Sequence, residues 1–492
     1  MRLLLLCSLM LLSVPLAVHA SDSTLSLSLK DAIRMAVEKN LDVRAELYNP
    51  AQFEADINRN RSIYDPQLLL QTNYTDSTAA STTTGAIIGS QALSLNSSLN
   101  KLLWTGGTAS VSFNNGYANN TLVASSWQSG LGVSLSQPLL KNLGREATEV
   151  AINVSRQSKF ASLEHFNARL LAIVAQVRSE YFKLYSLRQA RDVKKVSLDL
   201  AQKILVETKA RVKAGVLPAM EVLNAEYGAV TREKELNDAE LAVNNQVDVL
   251  RLLLQIDGAV ADLLTTDQPP LDRIDVVEGD AVKNALNNRP DIREQKRNLD
   301  LFELQTKNYS QKMLPDLTFA ATAQLTGFDA TYQGNVNKVL TADYPIWTVG
   351  LNFSIPLGNS AADNDFRKSR LKTEQAILQL RSLEETSVKE VRAAIRNITA
   401  GYRQIEVSNR GRAFAEERLR SFMKKNEVGL ATTKDVLDVE NDLAISKNDQ
   451  INAVVGYANA LTTYWQVTGE LLEREGIRVI ESDADKLYSV TR

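Results

Sequence analysis

From Arg145 to Lys213 the chain contains neither proline nor glycine, and a second span of similar length, 359–428, contains no proline. In the second span Val388, Val391, Ile395, Ile398, Tyr402 and Ile405 fall at alternating spacings of three and four, which puts them on one seam of a helix. At a rise of about 1.5 Å per residue each helix is about 100 Å long. No single globular core has that length, so helices of this kind pack against other long helices in a bundle, a coiled coil or a tube.

Residues 1–20 read as a secretory signal: Arg2, a leucine-rich core from Leu3 to Leu12, and the small-residue site Val18-His19-Ala20. Cys7, the only cysteine, lies inside it, so the mature chain is expected to have no disulfide. The whole chain has 56 Lys+Arg and 58 Asp+Glu; without Arg2 the balance is 55 against 58, a net charge of −3. That near-balance argues against nucleic acid as a partner. Past residue 20 no run of eighteen apolar residues exists, so a membrane would be met with strands rather than with a helix.

The chain repeats itself. Asp31-Ala32, Ala36, Asp42-Val43-Arg44 and Pro66-x-Leu68 recur as Asp280-Ala281, Ala285, Asp291-Ile292-Arg293 and Pro315-x-Leu317. Leu135-Ser136-x-Pro138-Leu139 returns as Phe353-Ser354-x-Pro356-Leu357. Gly215 with Glu221-Val222-Leu223-Asn224-x-Glu226 returns as Gly429 with Asp435-Val436-Leu437-Asp438-x-Glu440. The expected plan is a first repeat over 21–261 (a helix, β segments in 67–139, a long helix 145–213, a helix 219–256) and a linker, 262–279. A second repeat follows over 280–470 (a helix, β segments in 316–357, a long helix 360–427, a helix 433–470), then a periplasmic tail, 471–492.

The β segments alternate. Trp347, Val349, Leu351, Phe353 and Ile355 interleave with Thr348, Gly350, Asn352 and Ser354, and Leu131, Val133 and Leu135 with Gly132, Ser134 and Ser136. One face is oily and one wet, over a length that suits a tilted strand crossing a bilayer. The oily face at Trp347–Ile355 is expected to meet lipid. Trp104, Tyr117, Trp127, Phe328, Tyr332, Tyr344 and Trp347 cluster in or beside these segments, as in an interfacial girdle. Residues 75–91 and 327–343, rich in Ser, Thr, Asn and Gly, read as exposed loops. The first repeat holds a surplus between its prolines, in which 93–103 and 109–117 alternate around Gly106-Gly107 and read as a hairpin. It either decorates the mouth of a barrel or joins its wall, and decoration is the expectation, because the second repeat does without it.

With the repeats, strands and long helices together, the chain resembles the TolC family of outer membrane efflux proteins over essentially its whole mature length. Its most specific piece is Val428-Gly429-x-x-Thr432-x-x-Asp435-Val436-Leu437-Asp438, which is similar to the turn after the family's second long helix. The resemblance implies an α+β membrane protein and a homotrimer: four strands per protomer in one shared transmembrane β-barrel, and a long α-helical barrel forming a periplasmic tunnel with a closed tip. It implies a passive duct of a tripartite efflux or type I secretion system, with outer membrane lipid, a periplasmic adaptor and an inner-membrane transporter as partners. A periplasmic adaptor or structural coiled-coil protein that never enters the membrane is the competing reading. Physical reasoning agrees that four amphipathic strands cannot close alone in lipid.

No catalytic pattern stands out. His165 is the one histidine outside the signal, no cysteine accompanies it, and no glycine-rich phosphate loop precedes a helix; no enzyme, cofactor or metal is expected. Asp435 and Asp438 share one helix face just past Gly429. They serve either as helix-start acids that complement the dipole or, as the resemblance implies, as a ring at the periplasmic constriction, with Glu221 and Asn224 at the matching places of the first repeat. Gly215 and Gly429 mark the tip turns. Where the family's namesake has a tyrosine and an arginine as closing links, this chain has Asn426 and Ala431, which leaves Lys424, Lys425 and Lys434 as candidate latches.

Overall fold

The computed structural model describes residues 23–80, 85, 87–121, 124–256, 260–478 and 481–490; the expected signal, 1–20, lies outside them. The order is β1 (Ser23–Leu27), α1 (Leu29–Lys39), α2 (Leu41–Glu46), α3 (Tyr48–Arg61), β2 (Gln67–Ala80), β3 (Ile87–Leu102), β4 (Thr108–Asn120), β5 (Ser126–Pro138), α4 (Gly144–Thr148), α5 (Val150–Lys213) and α6 (Met220–Leu254). Then come β6 (Val260–Thr265), α7 (Glu278–Asn288), α8 (Pro290–Lys312), β7 (Asp316–Asp329), α9 (Tyr332–Leu340), β8 (Tyr344–Ser354), α10 (Ser360–Glu427), α11 (Thr433–Thr468), α12 (Leu471–Arg474) and α13 (Glu481–Val490). Two compact units divide these: one takes residues from 1–44, 170–281 and 391–477, the other from 45–169, 282–390 and 478–492.

The second of these units holds the main sheet, ordered β2-β3-β4-β5-β7-β8 and antiparallel throughout. Two differences from expectation meet here. The sheet has six strands where four were expected, and the surplus of the first repeat, β3 and β4, sits in its middle. The reason is visible in the register. Leu68, Leu99, Val111, Val133, Ala323 and Trp347 stand directly across from one another in one row. The adjacent row on the other face is Gln67, Asn100, Ser110, Ser134, Thr322 and Thr348. The surplus strands therefore carry the same oily and wet faces as their neighbours, and pairing with both satisfies the backbone that decoration would leave bare.

The β3–β4 turn is fixed at the end of the sheet nearest α4. Leu103 N–H donates to Gly107 O at 2.7 Å, and Gly144 N–H to Thr105 O at 2.9 Å. Gly106, at φ +86°, could not carry a side chain: a Cβ would lie 2.4 Å from Asn142 O. The regions 75–91 and 327–343 are likewise not simply loops. Strands β2 and β3 extend into the first, and α9 occupies much of the second. α9 starts at Thr331, whose hydroxyl accepts from Gly334 N–H. In the same unit α13 packs on α3. The buried Lys159 amine reaches Glu54 Oε2 at 3.0 Å and Asp485 Oδ1 at 2.7 Å. Burial alone would lower the Lys159 pKa, but its two carboxylate partners outweigh that and hold it above the usual lysine value.

In the other unit, part of the expected linker is a strand: β6 pairs parallel with β1. Leu27 and Leu263 are buried there, and the buried Tyr181 donates its hydroxyl to Leu27 O at 2.8 Å. Val391, Ile398 and Ile405 of the α10 seam are buried, as are Ala394 between them and Ser408 three residues beyond, the pattern of a helix with one packed stripe and a charged remainder.

Candidate functional site

Both long helices end in the same way. At the end of α5, Gly215 N–H donates to Val212 O and Val216 N–H to Arg211 O at 2.9 Å; at the end of α10, Gly429 N–H donates to Asn426 O and Leu430 N–H to Lys425 O at 2.8 Å. Gly215 and Gly429 have φ of 72° and 77°, the left-handed conformation in which an L side chain is strained. The two turns are linked, because Arg211 Nη1 donates to Asn426 O at 3.2 Å. Asn426 in turn donates to Ala431 O at 2.9 Å. Within the chain the two turns are joined by Arg211; of the lysines that the sequence suggested as latches, Lys425 lies over the Phe422 ring.

Past Gly429, Thr432 and Asp435 form a capping box at the start of α11. Thr432 N–H and hydroxyl donate to Asp435 Oδ2 at 2.8 and 2.7 Å, and Asp435 N–H donates back to Thr432 Oγ1 at 3.1 Å. The Thr432 side chain, then its backbone N–H, hold the Asp435 carboxyl below the ordinary aspartate pKa. Asp435 therefore has a structural occupation at the helix start. Asp438, one turn on, is exposed. It lines a groove of about 500 Å³ between α6 and α11 together with Asn224, Tyr227, Arg232 and Lys434. Two of the four residues singled out for a constriction, Asn224 and Asp438, thus come together in one groove, while Glu221 stands half-buried in the first turn of α6.

Beneath the groove α6 and α11 pack closely: Leu437 is buried with Ala201 and Ala229, and Gly228 leaves the room that a Cβ would take from Leu437 Cδ1, at 2.6 Å. Beside this apolar contact runs a buried charge network that the sequence reading missed. Arg232 Nε donates to Glu440 Oε2 at 3.1 Å and Nη1 to Glu235 Oε1 at 2.9 Å; Lys194 donates to Glu235 Oε2 at 2.8 Å, and Ser197 to Glu440. It joins α5, α6 and α11. Burial raises the Glu235 pKa, but Lys194 and Arg232 outweigh that and leave it below the ordinary glutamate value. The repeat gave no signal for this network, because Glu226, the counterpart of Glu440, pairs with Lys209 at the surface.

On the sheet, Trp347, Val349, Leu351 and Phe353 of β8 stand exposed on the oily face at 78, 58, 65 and 63 %, and Ile355 just past the strand at 46 %. His165 sits between Glu294, at 3.1 Å, and Glu46, at 3.9 Å. Among the described residues there is no group of three or more His, Cys, Asp or Glu able to hold a metal, and no helix is long and apolar enough to cross a membrane.

Long helices joined to a strongly two-faced antiparallel sheet define the class of outer membrane channels. The chain belongs to the outer membrane efflux protein family, whose model matches residues 32–254 and 281–470. It is 22% identical over 367 residues to the outer membrane efflux protein BepC of Brucella suis, covering 74% of this chain and 77% of that one. It is 22% identical over 317 residues to the pyoverdine export outer membrane protein OpmQ of Pseudomonas aeruginosa, covering 62% and 64%. Among solved structures, the CmeC outer membrane channel of Campylobacter jejuni matches with a TM-score of 0.67 at 16% identity, over 94% of this chain and 89% of that one. CusC matches with a TM-score of 0.69 at 15% identity, over 90% and 92%. The protein is thus a TolC-like efflux channel of the outer membrane with a helical periplasmic part, and not an enzyme. Family membership also removes the competing adaptor reading.

Proposed function

We propose that the protein is the passive exit duct of a tripartite efflux or type I secretion assembly. In this reading it is a homotrimer whose sheets close into one barrel, and its helical part docks through a periplasmic adaptor onto an inner-membrane transporter. The observation that carries it is the pair of rows running unbroken across all six strands, one wholly apolar and one wholly polar. A single sheet of this kind leaves the edges of β2 and β8 unpaired, which lipid does not tolerate. Six alternating strands make these edges antiparallel, so copies can join edge to edge. Three copies of six strands give eighteen, not the twelve that the resemblance implies, and barrels of that size hold an aqueous channel. In the tunnel Asp438, with Asn224 in its groove and with Asp435 and Glu221 as the first-turn acids of α11 and α6, supplies negative charge at a narrow point, where it favours cations.

Docking is testable at the turns, where Val216 and Leu430 are 70 and 78 % exposed. A photo-crosslinking residue at either position is expected to capture a periplasmic adaptor in cells, while one at Trp347 captures none. If the turns capture nothing although the protein is inserted, docking occurs elsewhere.

A further inference from the structure

We propose that α9 is a membrane-interface helix held against the outside of the barrel wall, where it contacts lipid of the outer leaflet; the inference rests on the barrel reading above. Its position follows from the register. Asn115, Ser129 and Gly327 form one row, and Tyr117, Trp127 and Asp329 the next. Both rows lie on the face that carries Val111, Phe113, Leu131, Val133 and Leu325, since residues two apart along a strand share a face.

α9 packs on these two rows. Asn335, fully buried, donates to Ser129 Oγ at 2.5 Å and accepts from Ser129 N–H at 3.2 Å; Ser129 donates to Asn115, and Asn115 donates to the Tyr332 hydroxyl at 3.3 Å. The Tyr332 ring meets Trp127 at 5.1 Å, and Trp127 meets Tyr117 at 5.0 Å. Gly327 permits the approach, because a Cβ there would lie 2.2 Å from Asn335 O. The helix thus covers the polar groups that interrupt the apolar face, and none of these contacts involves the wet face.

Height along the strand gives the occupant. From Leu317 to Leu325 a strand tilted by about 40° rises about 20 Å, and to the Trp127–Asp329 row about 30 Å, the thickness of a hydrocarbon core. α9 therefore lies level with an aromatic girdle at the rim opposite the β3–β4 turn. Its own surface suits that level: Gln333 and Asn337 are exposed, and so is Leu340 at 73 %. These three, spaced four and three apart, form one exposed stripe that presents amides beside a leucine, a mixture suited to the boundary of headgroups and acyl chains.

Single cysteines test this in a chain whose one native cysteine, Cys7, falls in the expected signal. The variants Leu340→Cys, Leu351→Cys and Asn352→Cys would each carry bimane in proteoliposomes containing lipids spin-labelled at the headgroup, at acyl carbon 5 or at carbon 12. The Leu340→Cys label is expected to lose most of its emission to the two shallow spin labels and little to the deep one. The Leu351→Cys label, which by the same register stands about 5 Å above Leu317 on the apolar face, should be quenched by the acyl labels, most by the one at carbon 5, and the Asn352→Cys label by none. If Leu351→Cys is quenched and Leu340→Cys ignores every lipid, α9 is not at the membrane. If Leu351→Cys also ignores them, the barrel reading itself has failed.

Discussion

At the scale of single residues, the groove between α6 and α11 is held by charges that cannot be lost singly. Arg232 and Glu440 side chains are 9 and 6 % exposed, so removing one leaves the other buried without its partner. Arg232→Met is expected to cost about 3–5 kcal/mol in urea unfolding, whereas Arg232→Met with Glu440→Leu should recover much of it. Equal losses in the single and double variants would mean that the pair contributes through packing alone. Glu235 adds a pH dependence with a definite sign. Its folded-state pKa lies below its unfolded value, so its stabilisation is present above the ordinary glutamate pKa and fades as pH falls through the lower, folded one. The acid branch of the unfolding midpoint should therefore flatten in Glu235→Gln. None of this network was legible in the sequence, because Arg232 and Glu440 are distant in the chain and only the fold makes them neighbours. The helix-start role of Asp435 was legible as an acid in the first turn past Gly429, while the capping box that its spacing from Thr432 makes possible was seen only in the structure.

At the scale of elements, what could be read was what is local. The long helices and their glycine turns announce themselves by absence of breakers, by the seam and by residues that suit positive φ. The far ends of β2 and β3 did not, because small polar residues such as Ser77, Thr78, Ser90 and Gln91 resemble loop residues until a partner strand lies beside them. α9 was missed for a related reason. Nine residues containing Gly334 and two asparagines make a poor isolated helix, and Asn335 stabilises it only through Ser129. The two faces of β8 make a prediction at this scale. Val349→Arg, on the apolar face and by the register within about 5 Å of the bilayer midplane, should cost about 2–4 kcal/mol and impair insertion, whereas Asn352→Arg on the polar face is tolerated. Similar heat-stable yields of both in outer membrane fractions would reverse the assigned faces.

For the whole molecule, the tunnel and the barrel each make a prediction that needs several copies. If Asp438 surrounds a narrow axis, unit charges about 6 Å apart at an effective dielectric near 20 repel by about 3 kcal/mol, and a multivalent cation relieves that repulsion. Trivalent hexammine cobalt added from the periplasmic side should block conductance in planar bilayers, and Asp438→Ala should abolish the block. Asp438 is the cleaner choice than Asp435, whose removal would also take away a helix cap. Unchanged block would move the constriction elsewhere. The number of copies follows from the edges. β2 and β8 are the outer strands of the sheet, and a closed barrel pairs β8 of one copy with β2 of the next. Gln71 and Thr348 both lie on the polar face, so a cysteine replacing Thr348 combined with cysteines scanned along Gln67, Leu69, Gln71 and Asn73 should find one register that oxidises between copies. In that register the covalent ladder should stop at three chains, giving eighteen strands. A ladder stopping at two would mean a twelve-stranded barrel from a dimer, and an unlimited one would mean that the edges pair without closing.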